Sequence, residues 1–222
     1  MPEVAIPSGK VHLQGELLLP SRPAGVVVFS HGSGSGRRSP RNRYVAGELR
    51  RAGFGTLLLD LLTFDEDLDA EARFDIALLT ERLSDAVRFA GTQAATRKLP
   101  IGLFGASTGA ASALRVAAAL PESVAAVVSR GGRPDLAGRS ALSEVKAPTL
   151  LIVGAEDHGV IELNEAALDQ MGCEREMVLV PGATHLFEEP GTLEEVARLA
   201  AEWFGKWIPA SATLTPRQAA PL

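Results

Sequence analysis

Short apolar runs alternate with longer stretches of helical periodicity along most of the chain. Seven runs predict strands, at residues 11–19, 25–30, 56–60, 100–104, 124–128, 148–153 and 176–180. Five stretches predict helices, at residues 40–52, 74–94, 110–120, 161–171 and 193–207. Strands that alternate with helices of this length indicate βαβ units. We therefore predict an α/β fold, a doubly wound and mostly parallel sheet with helices on both faces.

The spacing of two predicted strands limits what can cover this sheet. Only about twenty residues separate the strand that ends at Val128 from the strand that begins at Thr149. That interval leaves no room for a helical cap domain, so we expect loops alone to form the mouth of the site. A chain of 222 residues suits one domain. We assign residues 1–208 to it and residues 209–222, which lack periodicity, to a loosely held C-terminal tail.

Composition and charge exclude several classes of function. The formal net charge of −5 argues against nucleic acid as the main partner, because phosphate binding needs a basic surface. The apolar runs are too short for a membrane span, so no membrane partner is expected. The N-terminus lacks the pattern of a signal peptide, and Cys173 alone cannot form an internal disulfide. These features favour a cytoplasmic protein. They carry no indication of oligomeric state.

One short motif joins a predicted strand to a predicted helix. Gly105-Ala106-Ser107-Thr108-Gly109 matches G-x-S-x-G, the pattern of a nucleophile elbow. The chain must turn sharply there, and small residues two positions before and after the serine prevent clashes. Ser107 is therefore the candidate nucleophile. The alternative is a strand-to-helix connection of small residues that has no catalytic role, since the motif is short and common.

A serine nucleophile needs a base, and the base needs an acid to orient it. His185 follows the last predicted strand, and Asp157 follows the strand before it, with Asp135 and Glu156 as alternative acids. The order Ser107, Asp157, His185 is that of an α/β-hydrolase triad. Each residue also follows the carboxyl end of a different strand, where open α/β sheets place their sites.

The oxyanion hole needs two backbone N–H groups rather than particular side chains. Thr108, directly after the nucleophile, is predicted to supply one. Ser33 is predicted to supply the other, from the loop 31–36 that follows an earlier strand. A flexible turn and a phosphate-binding loop are the alternatives for this loop. However, no G-K-[ST] follows it, and its spacing is not G-x-G-x-x-G.

Two other functions compete with a hydrolase. Residues 105–110 are similar to the nucleotide turn of short-chain dehydrogenases, but Tyr44, the only tyrosine, is followed four residues later by Glu48 instead of lysine. A non-catalytic module that binds a ligand or partner is the second alternative, and the intact triad order argues against it. No metal site is predicted, because the acidic stretch 65–71 lacks the spacing of a calcium loop.

Together these segments resemble the α/β-hydrolase family, and within it the dienelactone-hydrolase-like group, over about residues 11–208. The resemblance rests on His31-Gly32 and on residues 105–109, 154–157 and 182–185. Residues 31–42 and 129–134 are also similar to a bacterial subgroup whose members are sometimes joined to a phosphoribosyltransferase domain, which these 222 residues do not contain. Dienelactone hydrolases proper use a cysteine nucleophile, whereas this chain has Ser107. The resemblance therefore implies a carboxylesterase-like enzyme that acts on a small ester-like molecule without a cofactor.

Arginines gather after two of the predicted strands. Four of them follow the predicted oxyanion loop at residues 31–36: Arg37, Arg38, Arg41 and Arg43. Two more, Arg130 and Arg133, follow the strand at residues 124–128, which comes after the helix that follows Ser107. Arginine binds carboxylate and phosphate in a bidentate way. We single out Arg130 as a substrate-binding residue for an anionic group. The alternative for most of these arginines is a solvated or salt-bridged surface.

Overall fold

The computed structural model describes residues 3–208, which form one sheet with helices packed on both faces. The strands are β1 Glu3–Ser8, β2 Val11–Leu18, β3 Val26–Ser30, β4 Gly55–Leu59, β5 Ile101–Ala106, β6 Val124–Arg130, β7 Thr149–Gly154 and β8 Arg175–Val180. The helices are α1 Pro40–Arg51, α2 Ile76–Thr92, α3 Thr108–Ala119, α4 Arg139–Glu144, α5 His158–Leu168 and α6 Thr192–Trp207. The predicted tail, residues 209–222, lies outside the described residues.

The strand order confirms the predicted doubly wound sheet. The strands lie in the order β1-β2-β4-β3-β5-β6-β7-β8. The pairs from β4 across to β8 are parallel, whereas β1 pairs with β2, and β2 with β4, in antiparallel fashion. The carboxyl ends of β3 to β8 therefore meet at one edge of the sheet, and the loops that leave this edge carry the candidate site residues.

The sheet separates two apolar layers. On one face, side chains such as Leu83 of α2 and Leu114 of α3 pack against the strands. On the other face, Leu49 of α1 and Phe204 of α6 do the same. The central strands β3, β4, β5 and β7 are buried along their whole length, which explains why they read as continuous apolar runs rather than as alternating patterns.

No cap domain covers the carboxyl edge in the described part of the chain. Between β6 and β7 the chain forms only a 3₁₀ turn, Pro134–Ala137, and the short helix α4. Loops therefore form the mouth, as predicted. No helix among residues 3–208 is long and apolar enough to cross a membrane.

Two elements differ from the sequence prediction. The edge strand β1 was not expected, and it pairs with β2 through a tight turn in which Gly9 has a φ of 54°. Pro7 lies within β1, and proline is tolerated there because an edge strand leaves one row of N–H groups unpaired. The six-residue α4 was also not predicted, since it is too short for a periodic pattern to emerge.

Candidate active site

Ser107 occupies a strained turn between β5 and α3. Its φ of 51° and ψ of −122° are unusual for a residue with a side chain. The turn is fixed by two backbone hydrogen bonds, from Ser107 N–H to the Arg130 carbonyl at 3.2 Å and from Arg133 N–H to the Ser107 carbonyl at 3.0 Å. A side chain on Gly105 would overlap α3, and one on Gly109 would overlap the carbonyl of Ser30. These close contacts explain the small residues of the motif.

Asp157 and His185 lie against each other on the loops that follow β7 and β8. Asp157 Oδ2 is 2.7 Å from His185 Nδ1. The side chain of Asp157 is 17% exposed and that of His185 is 37% exposed. Because a carboxylate can only accept, Nδ1 carries the proton of the neutral ring and Nε2 keeps its lone pair. The imidazole is thus held in the tautomer that a general base requires.

Neighbouring backbone contacts hold the two loops in register. Ala155 N–H donates to the Val180 carbonyl and Glu156 N–H donates to the Ala183 carbonyl, both at 3.0 Å. Although Asp157 directly precedes α5, its side chain does not cap that helix. Its carboxylate is hydrogen-bonded to His185 instead. The pairing therefore depends on adjacent strands of the sheet rather than on local sequence.

The structure separates the alternative residues from this pair. Asp135 accepts two hydrogen bonds from the guanidinium of Arg133, at 2.8 and 2.7 Å. Glu156 is exposed and has no hydrogen bond with His185. Among the described residues no hydrogen bond joins the Ser107 hydroxyl to His185, a contact that is often long in the absence of substrate.

His31 has a structural environment at the end of β3. Its Nδ1–H donates to the Gly32 carbonyl at 3.0 Å, and its Nε2 accepts from Leu61 N–H at 2.9 Å. Burial lowers the pKa of His31 and so favours the neutral ring. His31 therefore joins the loop after β3 to the end of β4.

Ser33 and Thr108, the predicted oxyanion residues, are in direct contact. The backbone N–H of Ser33 donates to Thr108 Oγ1 at 3.0 Å. Thr108 is the first residue of α3, where backbone N–H groups have no partner within the helix. The contact brings the loop after β3 beside the N-terminus of α3, but it also occupies the Ser33 N–H that was predicted to face the substrate.

A cleft of about 790 Å³ opens beside Ser33 at the ends of β3 and β4. Its walls include Arg37, Arg38 and Arg41. Arg37 forms an ion pair with Asp60, which also accepts from Arg37 N–H at 2.7 Å. Arg38 is exposed and forms no ion pair with a carboxylate in the part of the chain that the structure describes. Among the described residues, Arg38 thus brings to the cleft a cation without a carboxylate partner.

Arg130 lies elsewhere than in this cleft. It is the last residue of β6, is only 7% exposed, and reaches the loop that follows His185. Its neighbour on that loop, Phe187, has a φ of 55° and was not identified from the sequence. Glu189 was also missed. Its carboxylate accepts from Thr184 N–H at 3.1 Å and from the Thr184 hydroxyl at 2.6 Å, and these bonds lower its pKa.

The model of the dienelactone hydrolase family matches residues 13–207, which include every candidate site residue. The chain belongs to the dienelactone hydrolase family. A solved structure described as dienelactone hydrolase from Anabaena variabilis is 53% identical, with a TM-score of 0.89 over 93% of this chain and 98% of that one. This family member is therefore a hydrolase of the α/β type.

More distant structures share the fold. Est1E from Butyrivibrio proteoclasticus, also solved with ferulic acid bound, superposes with a TM-score of 0.79 at 17% identity over 93% of this chain and 98% of that one. Two curated relatives, both from Mycobacterium tuberculosis, are 56% identical over 202 residues, or 91% of this chain. They are named provisionally as phosphoribosyl transferases. This chain spans 45% of their length, so the name describes much longer proteins.

Proposed function

We propose that this member of the family is a serine hydrolase that cleaves small carboxylic esters, thioesters or lactones through an acyl-enzyme on Ser107. The observation that carries the proposal is the 2.7 Å contact between Asp157 and His185 at the edge of the sheet where Ser107 occupies its strained turn. A cytoplasmic location belongs to the same proposal, because the single cysteine needs no oxidising compartment.

In the first half of the reaction, Ser107 Oγ attacks the carbonyl carbon while His185 Nε2 accepts the hydroxyl proton. The Asp157 carboxylate stabilises the resulting imidazolium through Nδ1–H. The backbone N–H groups of Thr108 and Ser33 stabilise the negative oxygen of the tetrahedral intermediate, for which the Ser33 N–H must exchange Thr108 Oγ1 for the substrate. His185 then returns the proton to the departing alcohol or thiol.

In the second half, a water molecule attacks the acyl carbon of the ester on Ser107. His185 Nε2 takes one proton from this water, and the tetrahedral intermediate collapses to release the acid and the Ser107 hydroxyl. Every proton moves through His185, so no cofactor takes part in the proposed steps.

The cleft beside Ser33 is the proposed site for the body of the substrate. It adjoins the oxyanion loop, and its volume of about 790 Å³ suits a small molecule. The exposed guanidinium of Arg38 lies at its rim, so we propose a preference for substrates with an anionic group over neutral substrates of the same size.

Covalent labelling tests the nucleophile. The protein is treated with a fluorophosphonate, digested and analysed by mass spectrometry, and turnover of p-nitrophenyl acetate is measured for wild type and Ser107→Ala. Labelling at Ser107 and loss of turnover in Ser107→Ala are expected. Ser123→Ala removes an exposed serine from a turn at the opposite edge of the sheet and should retain full activity.

The alternative is a non-catalytic module with the same fold. Hydrolysis that is unchanged in Ser107→Ala, together with no label on Ser107 in the folded protein, would support this alternative and remove the hydrolase proposal. A non-catalytic module has no requirement for the Asp157–His185 contact, which is the reason that catalysis is preferred.

A further inference from the structure

Arg130 touches the nucleophile turn through its backbone. It is the last residue of β6 and pairs in register with Ala106 of β5, the residue before Ser107. Its carbonyl accepts the hydrogen bond from Ser107 N–H at 3.2 Å. The position of Ser107 is therefore tied to the main chain of Arg130.

The side chain of Arg130 reaches the loop that carries His185. Nη1 donates to the Leu186 carbonyl at 3.5 Å, at the long end of the range for a hydrogen bond. The guanidinium carbon lies 5.7 Å from the centre of the Phe187 ring, within the range of a cation–π contact. Phe187 is buried and has a left-handed backbone, a conformation that surrounding contacts must maintain.

The charge of Arg130 has no carboxylate partner among residues 3–208. Arg82 is the other buried arginine among the described residues, and its exposed fraction is also 7%. Unlike Arg130, it forms an ion pair, with Glu66 at 2.9 Å. Burial and the nearby charge of Arg41 lower the pKa of Arg130 to about 10. A buried cation is costly unless its surroundings compensate it. Here the compensating groups, a carbonyl and an aromatic ring, both belong to the His185 loop.

We infer that Arg130 is a positioning residue, which fixes the His185 loop relative to Ser107. Its backbone carbonyl binds Ser107, the proposed proton donor. Its side chain contacts the loop that carries His185, the proposed proton acceptor. This role replaces the substrate contact expected from the sequence, because Arg130 is buried and the arginines that line the cleft are Arg37, Arg38 and Arg41. The expected effect of Arg130 on catalysis rests on the proposed function, whereas its effect on the position of the His185 loop does not.

Kinetics of Arg130→Met and Arg130→Lys test the role. The methionine keeps an apolar stem and removes the charge, whereas the lysine keeps the charge without the planar fork. We expect kcat to fall by roughly tenfold to a hundredfold in Arg130→Met, as for a small misplacement of catalytic groups. The fall should be equal for p-nitrophenyl acetate and mono-p-nitrophenyl succinate, with little change in KM, and Arg130→Lys should recover part of it.

Arg115→Met is the matched control. Arg115 also donates from its guanidinium to a backbone carbonyl, that of Ala137 at 3.0 Å, but among residues 3–208 it has no hydrogen bond with the loop that carries His185. This variant should keep the kcat of wild type. A rise in KM confined to the succinate ester in Arg130→Met would overturn the inference in favour of substrate binding. An unchanged kcat on both esters would overturn it as well.

A spectroscopic measurement separates this inference from the proposed function. In protein labelled with ¹⁵N-histidine, the Nδ1–H proton of His185 that is bonded to Asp157 should give a strongly downfield resonance. We expect that resonance to broaden or shift in Arg130→Met and to be unchanged in Arg115→Met. An identical resonance in folded Arg130→Met would overturn the positioning role.

The two failures then look different. Wild-type protein that hydrolyses no ester and takes no fluorophosphonate would remove the proposed function, and the histidine resonance would still decide the role of Arg130. If Arg130→Met does not fold, Arg130→Lys is judged by the same two readouts, with an unchanged kcat and an unchanged resonance counting against the inference.

Discussion

Ser33 and Thr108 are joined by a hydrogen bond from the Ser33 backbone to the Thr108 hydroxyl, 3.0 Å long. This single contact links the loop after β3 to the first turn of α3, the helix that follows Ser107. The threonine is therefore not interchangeable with other residues of similar size at the second x of G-x-S-x-G.

Thr108→Val should lower kcat for p-nitrophenyl acetate by about tenfold. The valine keeps the shape but removes the acceptor, so the loop that carries Ser33 loses the contact that holds it beside the N-terminus of α3 before the substrate binds. Loss of an oxyanion donor itself costs roughly 10²–10³-fold, and loss of orientation should cost less. Thr108→Ser keeps the hydroxyl and should remain within a few-fold of wild type. Equal activity of the valine and serine variants would mean that this hydrogen bond has no part in catalysis.

Arg38→Ala should slow hydrolysis of mono-p-nitrophenyl succinate while leaving p-nitrophenyl acetate unchanged. Because Arg38 is exposed, water screens its charge, and we expect a loss of about fivefold in kcat/KM, equivalent to about 1 kcal/mol. The control is Arg97→Ala, which removes an exposed arginine before β5, at the opposite edge of the sheet. If Arg38→Ala hydrolysed mono-p-nitrophenyl succinate as fast as wild type does, the proposed preference for anionic substrates would be removed.

Esters with short acyl groups should be better substrates than those with long ones. The cleft has few large apolar side chains in its walls, Leu62 and Phe64, and Phe64 is itself 80% exposed. Each methylene left in water forfeits roughly 0.8 kcal/mol of burial. The measurement is kcat/KM for p-nitrophenyl acetate, butyrate and octanoate. A steady increase through octanoate would show an apolar acyl pocket and contradict the open mouth.

Stability should fall in mild acid because His31 is buried as the neutral ring. Its pKa is lowered in the folded protein, so the unfolded chain takes up a proton near pH ~6.5 while the folded chain does not. Unfolding is thus coupled to proton uptake, and the free energy of unfolding decreases as pH falls below about 6.5, until the lowered folded pKa is reached. Urea unfolding at pH 7.5 and 5.5 measures this loss.

His31→Gln provides the comparison for that measurement. The variant should be less stable at pH 7.5, by about 1–3 kcal/mol, because it disturbs the bonds to Gly32 and Leu61. It should lose less stability than wild type between pH 7.5 and 5.5, since other titrating groups are common to both proteins. Parallel losses in the two proteins would mean that His31 does not cause the acid sensitivity.

Much of the fold was predictable because its signals are local. The apolar runs at residues 25–30 and 148–153 lie in strands buried on both faces, and their composition reflects that burial. The edge strand β1 was missed because Pro7 and its exposed residues carry no such signal, and its pairing partner lies beyond a turn. The order of β3 and β4 in the sheet is likewise a long-range property.

The sequence by itself determined the alternation of strands and helices, the small residues around Ser107 and the order of Ser107, Asp157 and His185, because each is written in composition or spacing along the chain. The tertiary structure alone decided that Asp157 rather than Asp135 contacts His185, that Ser33 N–H meets Thr108, and that Arg130 turns toward Phe187. Which side chains meet depends on strand register and on the paths of the loops between strands. Both are set by packing between residues far apart in sequence, so no local pattern records them.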